Sequence, residues 1–168
     1  MNAPVPQRLS RFQEVLLLVG QLNYSWTNTE SLLIHLIAGL ARVEKEVAIV
    51  IFLTLNTGKA RIELVERLAK TRRVDPALRR EVLGAMRQMT RQAKLRNKYS
   101  HCIYAFDETG SHASTQLMRI FDSETEIRYG KTEDLGPDEM QAIMTAVAEI
   151  KGVNAAIWDI VQRYDFPR

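Results

Sequence analysis

Several protein classes are excluded by what this chain lacks. A single cysteine, Cys102, rules out an internal disulfide framework and fits a reducing compartment. Long apolar runs are also missing. The longest, Val47 to Leu55, is roughly half of the ~20 residues that a membrane-spanning helix needs. Met1 to Gln7 hold two prolines and lack the basic stretch, apolar run and cleavage site of a signal peptide. A cytoplasmic location with no membrane partner is therefore expected. There is no Gly-x4-Gly-Lys loop and no Gly-x-Gly-x-x-Gly after a strand, so no nucleotide cofactor is indicated. The three histidines, His35, His101 and His112, are scattered without the spacing of zinc ligands. Neither a cofactor nor a metal is expected.

What is present suits one domain spanning residues 1–168, 46% hydrophobic and 26% charged, an ordinary globular composition. The net charge of +3 conceals a strong asymmetry. Lys59 to His101 carry 13 Lys and Arg against 4 Asp and Glu, a local net of +9. Cys102 to Arg168 carry 6 against 12, a local net of −6. Such a segment can steer a polyanion to one face. Equally, the acidic part can neutralise the basic one within the fold.

Periodicity predicts mostly helix. From Leu9 to Leu40, apolar residues recur at three- and four-residue steps through Phe12, Val15, Leu16, Val19, Leu22, Trp26, Leu33, Ile37 and Leu40. Glu30 falls on this stripe. It either reaches solvent from the stripe's edge or holds Arg96 or His101 from a neighbouring helix. His35 lies off the stripe, at the surface or an edge. Val43 to Leu55 suits a buried strand or a buried helix, and is read as helix because no partner strand lies nearby. A basic amphipathic helix follows from Lys59 to Arg73. Asp75-Pro76 starts another, since Asp is a favoured N-cap and Pro fits the first helical position. This helix is expected to reach about Ile103. Thr115 to Phe121 and Thr125 to Lys131 alternate as two strands, and Gly136-Pro137-Asp138 opens the last helix. The expected fold is mainly α, a four- to five-helix bundle with a small β-hairpin before the final helix.

Within the basic helix lies Arg96-Asn97-Lys98-Tyr99-Ser100-His101. It brings a permanent cation and the side chain that titrates near neutrality within reach of one phosphate. The stretch Leu95 to Tyr104 resembles the Arg-x4-to-6-His signature of the HEPN superfamily, in which an asparagine such as Asn97 often follows the arginine. The helical layout is also similar to that family's bundle. The resemblance covers most of the chain in architecture and about ten residues in specific sequence. It implies a metal-independent ribonuclease whose composite site forms where two motif-bearing helices face each other in a homodimer. Phage defence or a toxin–antitoxin pair, with an antitoxin or other protein partner, is the implied setting.

Helix geometry alone leaves one copy of the motif loose. Residues i and i+5 lie about 140° apart, so Arg96 points away from the face that Asn97 and His101 share. In the expected site Arg96, Asn97 and His101 are catalytic, with RNA as substrate. Arg91, Lys94 and Lys98 bind flanking phosphates. Tyr99 and Tyr104 either stack bases or pack a bundle seam. A Cys102–His101 nucleophilic pair is disfavoured, since adjacent helical residues diverge by roughly 100°. An arginine and histidine at this spacing also occur by chance, and a histidine near a helix C-terminus is favoured without catalysis. A non-catalytic RNA- or nucleotide-binding module, or a protein-interaction bundle, are the alternatives.

Overall fold

The computed structural model describes residues 9–168; Met1 to Gln7, read above as no signal peptide, lie outside them. Helices α1 (Arg11–Ser31) and α2 (Leu33–Ala41) run almost end to end, interrupted at Leu32. They occupy the stretch expected as one helix. Ser10 fixes the start through a capping box: its hydroxyl accepts from the Gln13 backbone N–H, and the Gln13 side chain accepts from the Ser10 N–H. Arg42, in the left-handed conformation, ends α2. The α1 stripe is only partly right. Val15, Leu22 and Trp26 are buried, whereas Phe12 and Leu16 are exposed, with Phe12 edge-on to Phe106.

The ambiguous segment is helical, α3 (Lys45–Thr54), and α4 (Gly58–Ala69) follows after a Thr57 N-cap. Helix α5 (Pro76–Ser100) begins at Asp75, whose carboxylate accepts from the N–H groups of Ala77 and Leu78. It ends three residues before the expected Ile103, because Cys102 to Phe106 form strand β1. There the alternation of half-buried Cys102, Tyr104 and Phe106 with exposed Ile103 and Ala105 follows the two-residue strand period.

The β region is larger than one hairpin. Strands β1, β2 (Ala113–Leu117) and β5 (Thr132–Asp134) make an antiparallel sheet in the order β1-β2-β5. Cys102 faces Leu117, and Ser114 faces Asp134. Strands β3 (Ile120–Asp122) and β4 (Ile127–Tyr129) form a separate hairpin within the β2–β5 connection. The Thr115–Phe121 segment expected as one strand is thus split at Met118-Arg119 between two sheets. At the hairpin's base, a β-carbon on Gly130 would lie 2.1 Å from the Leu117 carbonyl oxygen, so only glycine fits.

The last helix, α6 (Pro137–Arg163), packs against α1 and α5, while α4 packs on α2 and α5. Ile143, Ile150, Val153, Ile157 and Val161 of α6 meet Leu22, Leu33, Leu36, Ile37, Val82 and Met86 in one core. None of the described helices is long and apolar enough to cross a membrane.

Beyond α6 the chain folds back on α2. His35, expected at the surface or an edge, is buried, with Nδ1 2.7 Å from the Pro167 carbonyl oxygen. The Phe166 ring lies flat against Gly39, where a β-carbon would come within 2.1 Å of its Cγ. Alanine for glycine in an unpacked helix stabilises by about 1 kcal/mol. Here the sign reverses. Gly39→Ala is expected to lower stability by about 2 kcal/mol or more through eviction of Phe166, measured by denaturant unfolding. Its effect and that of Phe166→Ala should be strongly non-additive, because both remove one contact.

Candidate functional site

The site is built around the end of α5. Tyr99 is buried, and the Tyr104 hydroxyl donates to its backbone carbonyl, as does the Cys102 thiol at 3.7 Å. A carbonyl in a helix's last turn has no helical partner of its own, so these donors complete the terminus. His101 is the C-cap, with φ −129° and ψ 33°, and its carbonyl accepts from the Met118 N–H at 3.1 Å. The chain therefore leaves the helix at His101. His101 still continues the face of α5 that carries Ala93 and Asn97, with Arg96 at that face's edge.

Arg96, Asn97 and His101 line one cavity of about 650 Å3 between α5, α4 and α1. Trp26, Ile62 and Ala93 supply apolar wall, and Lys59, Lys94, Glu63 and Glu66 supply charge of both signs. The Arg96 guanidinium lies 5.7 Å from the Trp26 ring centroid, and its Nη1 donates to Asn97 Oδ1 at 3.1 Å. Arg96 Nε is buried and makes no hydrogen bond among the described residues. A buried donor left unpaired costs about 1–3 kcal/mol, a cost that the packing around Arg96 carries. His101 is exposed at the rim, and among the described residues it hydrogen-bonds through its backbone alone.

A second cavity, of about 570 Å3, opens on the other side of the same ridge and shares Lys94, Asn97 and His101 with the first. Its far wall is the β region, with Leu117, Met118, Arg119, Phe121 and Lys131. None of these five was singled out from sequence, although the alternating Thr115–Phe121 segment contains four of them.

The other expected residues divide. Lys94 is exposed and faces both cavities, whereas Arg91 is exposed but lines neither. Lys98 lines the second cavity and donates to the Glu133 carboxylate. That hydrogen bond raises the Lys98 ammonium above its ordinary range and holds Glu133 below the usual carboxylate range. Tyr104 packs against the end of α5. Its ring is half-buried in the α5–β1 corner, and burial pushes its phenol well above the ordinary value.

Glu30 also has another role. Its Oε1 is 3.3 Å from Nη1 of Arg61, with both side chains largely buried, and it supports neither Arg96 nor His101. Arg61 in turn donates through Nε to the carbonyls of Phe52 and Leu55 and stacks 4.1 Å from the Phe52 ring centroid. Gly58 leaves room for the carboxylate, since a β-carbon there would lie 2.6 Å from Glu30 Oε1. The Glu30 anion thus sits at the N-terminus of α4, where the helix dipole favours it. Among the described residues, no group of three or more His, Cys, Asp or Glu side chains is arranged to hold a metal ion.

Comparison with known proteins finds no matching family model, no matching curated protein and no matching solved structure.

Two outcomes follow from this geometry. A double-mutant cycle on Glu30→Gln and Arg61→Gln should give a coupling of about 1 kcal/mol or more in unfolding free energy, whereas Glu30→Gln with Arg96→Gln should be additive. Tyr104→Phe should cost about 1 kcal/mol and raise amide hydrogen exchange in the last turn of α5, because it removes the donor to Tyr99.

Proposed function

We propose that the protein is a cytoplasmic, metal-independent endoribonuclease of the HEPN type, acting as a homodimer in phage defence or a toxin–antitoxin pair. The observation that carries this reading is the convergence of Arg96, Asn97 and His101 on one cavity at the end of a basic helix. Lys94 and Arg96 add to it, since both line the cavity without an ion pair among the described residues and a phosphoryl oxygen is an acceptor of the required charge.

In the proposed reaction the ribose 2′-hydroxyl attacks the adjacent phosphorus. One His101 imidazole takes the 2′-proton as the new P–O2′ bond forms. The P–O5′ bond breaks, and the departing 5′-oxygen receives a proton from a second imidazole in its protonated form. Arg96 neutralises charge on the phosphoryl oxygens, which its planar fork suits. The products are a 2′,3′-cyclic phosphate and a 5′-hydroxyl. Pairing two subunits about a twofold axis supplies both imidazoles, and the exposure of His101 at the cavity rim leaves it open to a second copy.

One observation favours a second reading, RNA binding without cleavage: among the described residues, no side chain hydrogen-bonds the His101 ring. The two readings separate in one assay. The nuclease should cut single-stranded RNA in EDTA to cyclic-phosphate ends. His101→Ala should slow cleavage by about 10²–10⁴-fold while leaving RNA affinity and dimer mass unchanged. Cleavage that survives His101→Ala, or that vanishes with chelator, would overturn the proposal.

A further inference from the structure

We infer that the second cavity, between α5 and the β3–β4 hairpin, is a subsite for one unstacked base of single-stranded RNA, next to the phosphate held at His101. The inference rests on the preceding reading for its RNA ligand and deepens it. Three features carry it.

The first is continuity. Lys94, Asn97 and His101 form the ridge between the two cavities, so a strand whose phosphate meets His101 has its neighbouring nucleotide over the second one.

The second is an aromatic and apolar wall that the protein itself leaves uncovered. Phe121 is 48% exposed and Met118 67% exposed, and with Leu117 they line the cavity. The Arg119 guanidinium lies 4.9 Å from the Phe121 ring centroid, the pairing of cation and aromatic that stacks on bases.

The third is charge. Lys98 is tied to Glu133, but Lys94, Arg119 and Lys131 make no ion pair among the described residues. Apolar wall and cationic rim together fit a nucleotide, whose base is flat and apolar in its faces and whose phosphate is anionic. A volume of about 570 Å3 is that of a small-ligand pocket, too small for a duplex. A base must leave its stack to enter. Recognition of this kind favours single strands over double strands.

The test uses the full-length protein and a 2′-O-methyl single-stranded hexanucleotide, which cannot be cleaved, carrying one central 2-aminopurine. Wild type should quench the 2-aminopurine and bind the strand at least tenfold more tightly than its duplex. Phe121→Ala should lose the quench and bind about tenfold more weakly, whereas Phe121→Trp should retain both. Lys131→Gln should weaken binding and reduce the slope of log affinity against log salt by about one.

Wild-type affinity and quench in Phe121→Ala would overturn the inference, as would equal binding of strand and duplex. So would a loss of binding accompanied by a change in molar mass, which would assign the patch to a protein contact. The nuclease reading is judged separately on unmodified RNA. Quenching that depends on Phe121 without any cleavage sustains the subsite and removes the nuclease. Cleavage with an unchanged Phe121→Ala variant does the reverse.

Discussion

The candidate site depends on how the end of α5 is held. The chain leaves the helix at His101, beside the cavity that Arg96 and Asn97 also line. Three interactions enforce that exit: Tyr99 anchored in the core, its carbonyl completed by the Tyr104 hydroxyl, and the His101 carbonyl engaged by Met118 at the edge of the β region. Together they fix the end of the helix whose Arg96, Asn97 and His101 line one cavity. The β region is therefore part of the site's construction. It stops the helix, and its residues form the far wall of the adjoining pocket.

The cations from Lys59 to His101 fall into two groups. Several cations are structural. Arg61 joins the end of α3 to Glu30 on α1, and Arg79 donates to the carbonyls of Ala69, Thr71 and Val74 where α4 gives way to α5. Lys98 meets Glu133 of β5, so the acidic C-terminal part does neutralise some of the basic segment. Lys94 and Arg96 make no ion pair among the described residues, and both face the cavity beside His101. The neutralising reading of the charge asymmetry holds at Lys98, while Lys94 and Arg96 are the cations that the proposed RNA would meet.

The helices were legible because each has an apolar period and most have a local start signal, Asp75-Pro76 above all. The motif was legible as a chemical pairing, but its geometry was not. Whether His101 is helical depends on the pairing of Cys102 with Leu117, a contact across fifteen residues that no local pattern encodes. The same blindness to distant partners explains Glu30. A carboxylate on an apolar stripe correctly signals a buried cation, yet Arg61, Arg96 and His101 are equivalent candidates until packing chooses one. His35, expected at the surface or an edge, is buried for the same reason, since its partner is the Pro167 carbonyl. The wall of the second cavity escaped notice because Leu117, Phe121 and Lys131 come together only when β2, β3 and the β4–β5 connection fold over α5.

The claim at the centre is that Arg96 and His101 act on one phosphate. It is tested most directly by titrating the 15N-labelled protein with a 2′-O-methyl dinucleotide while following the Arg96 Nε–H and His101 ring resonances. Both should shift along a single binding curve. A ligand that moves either group alone, or the two with different midpoints, would contradict it.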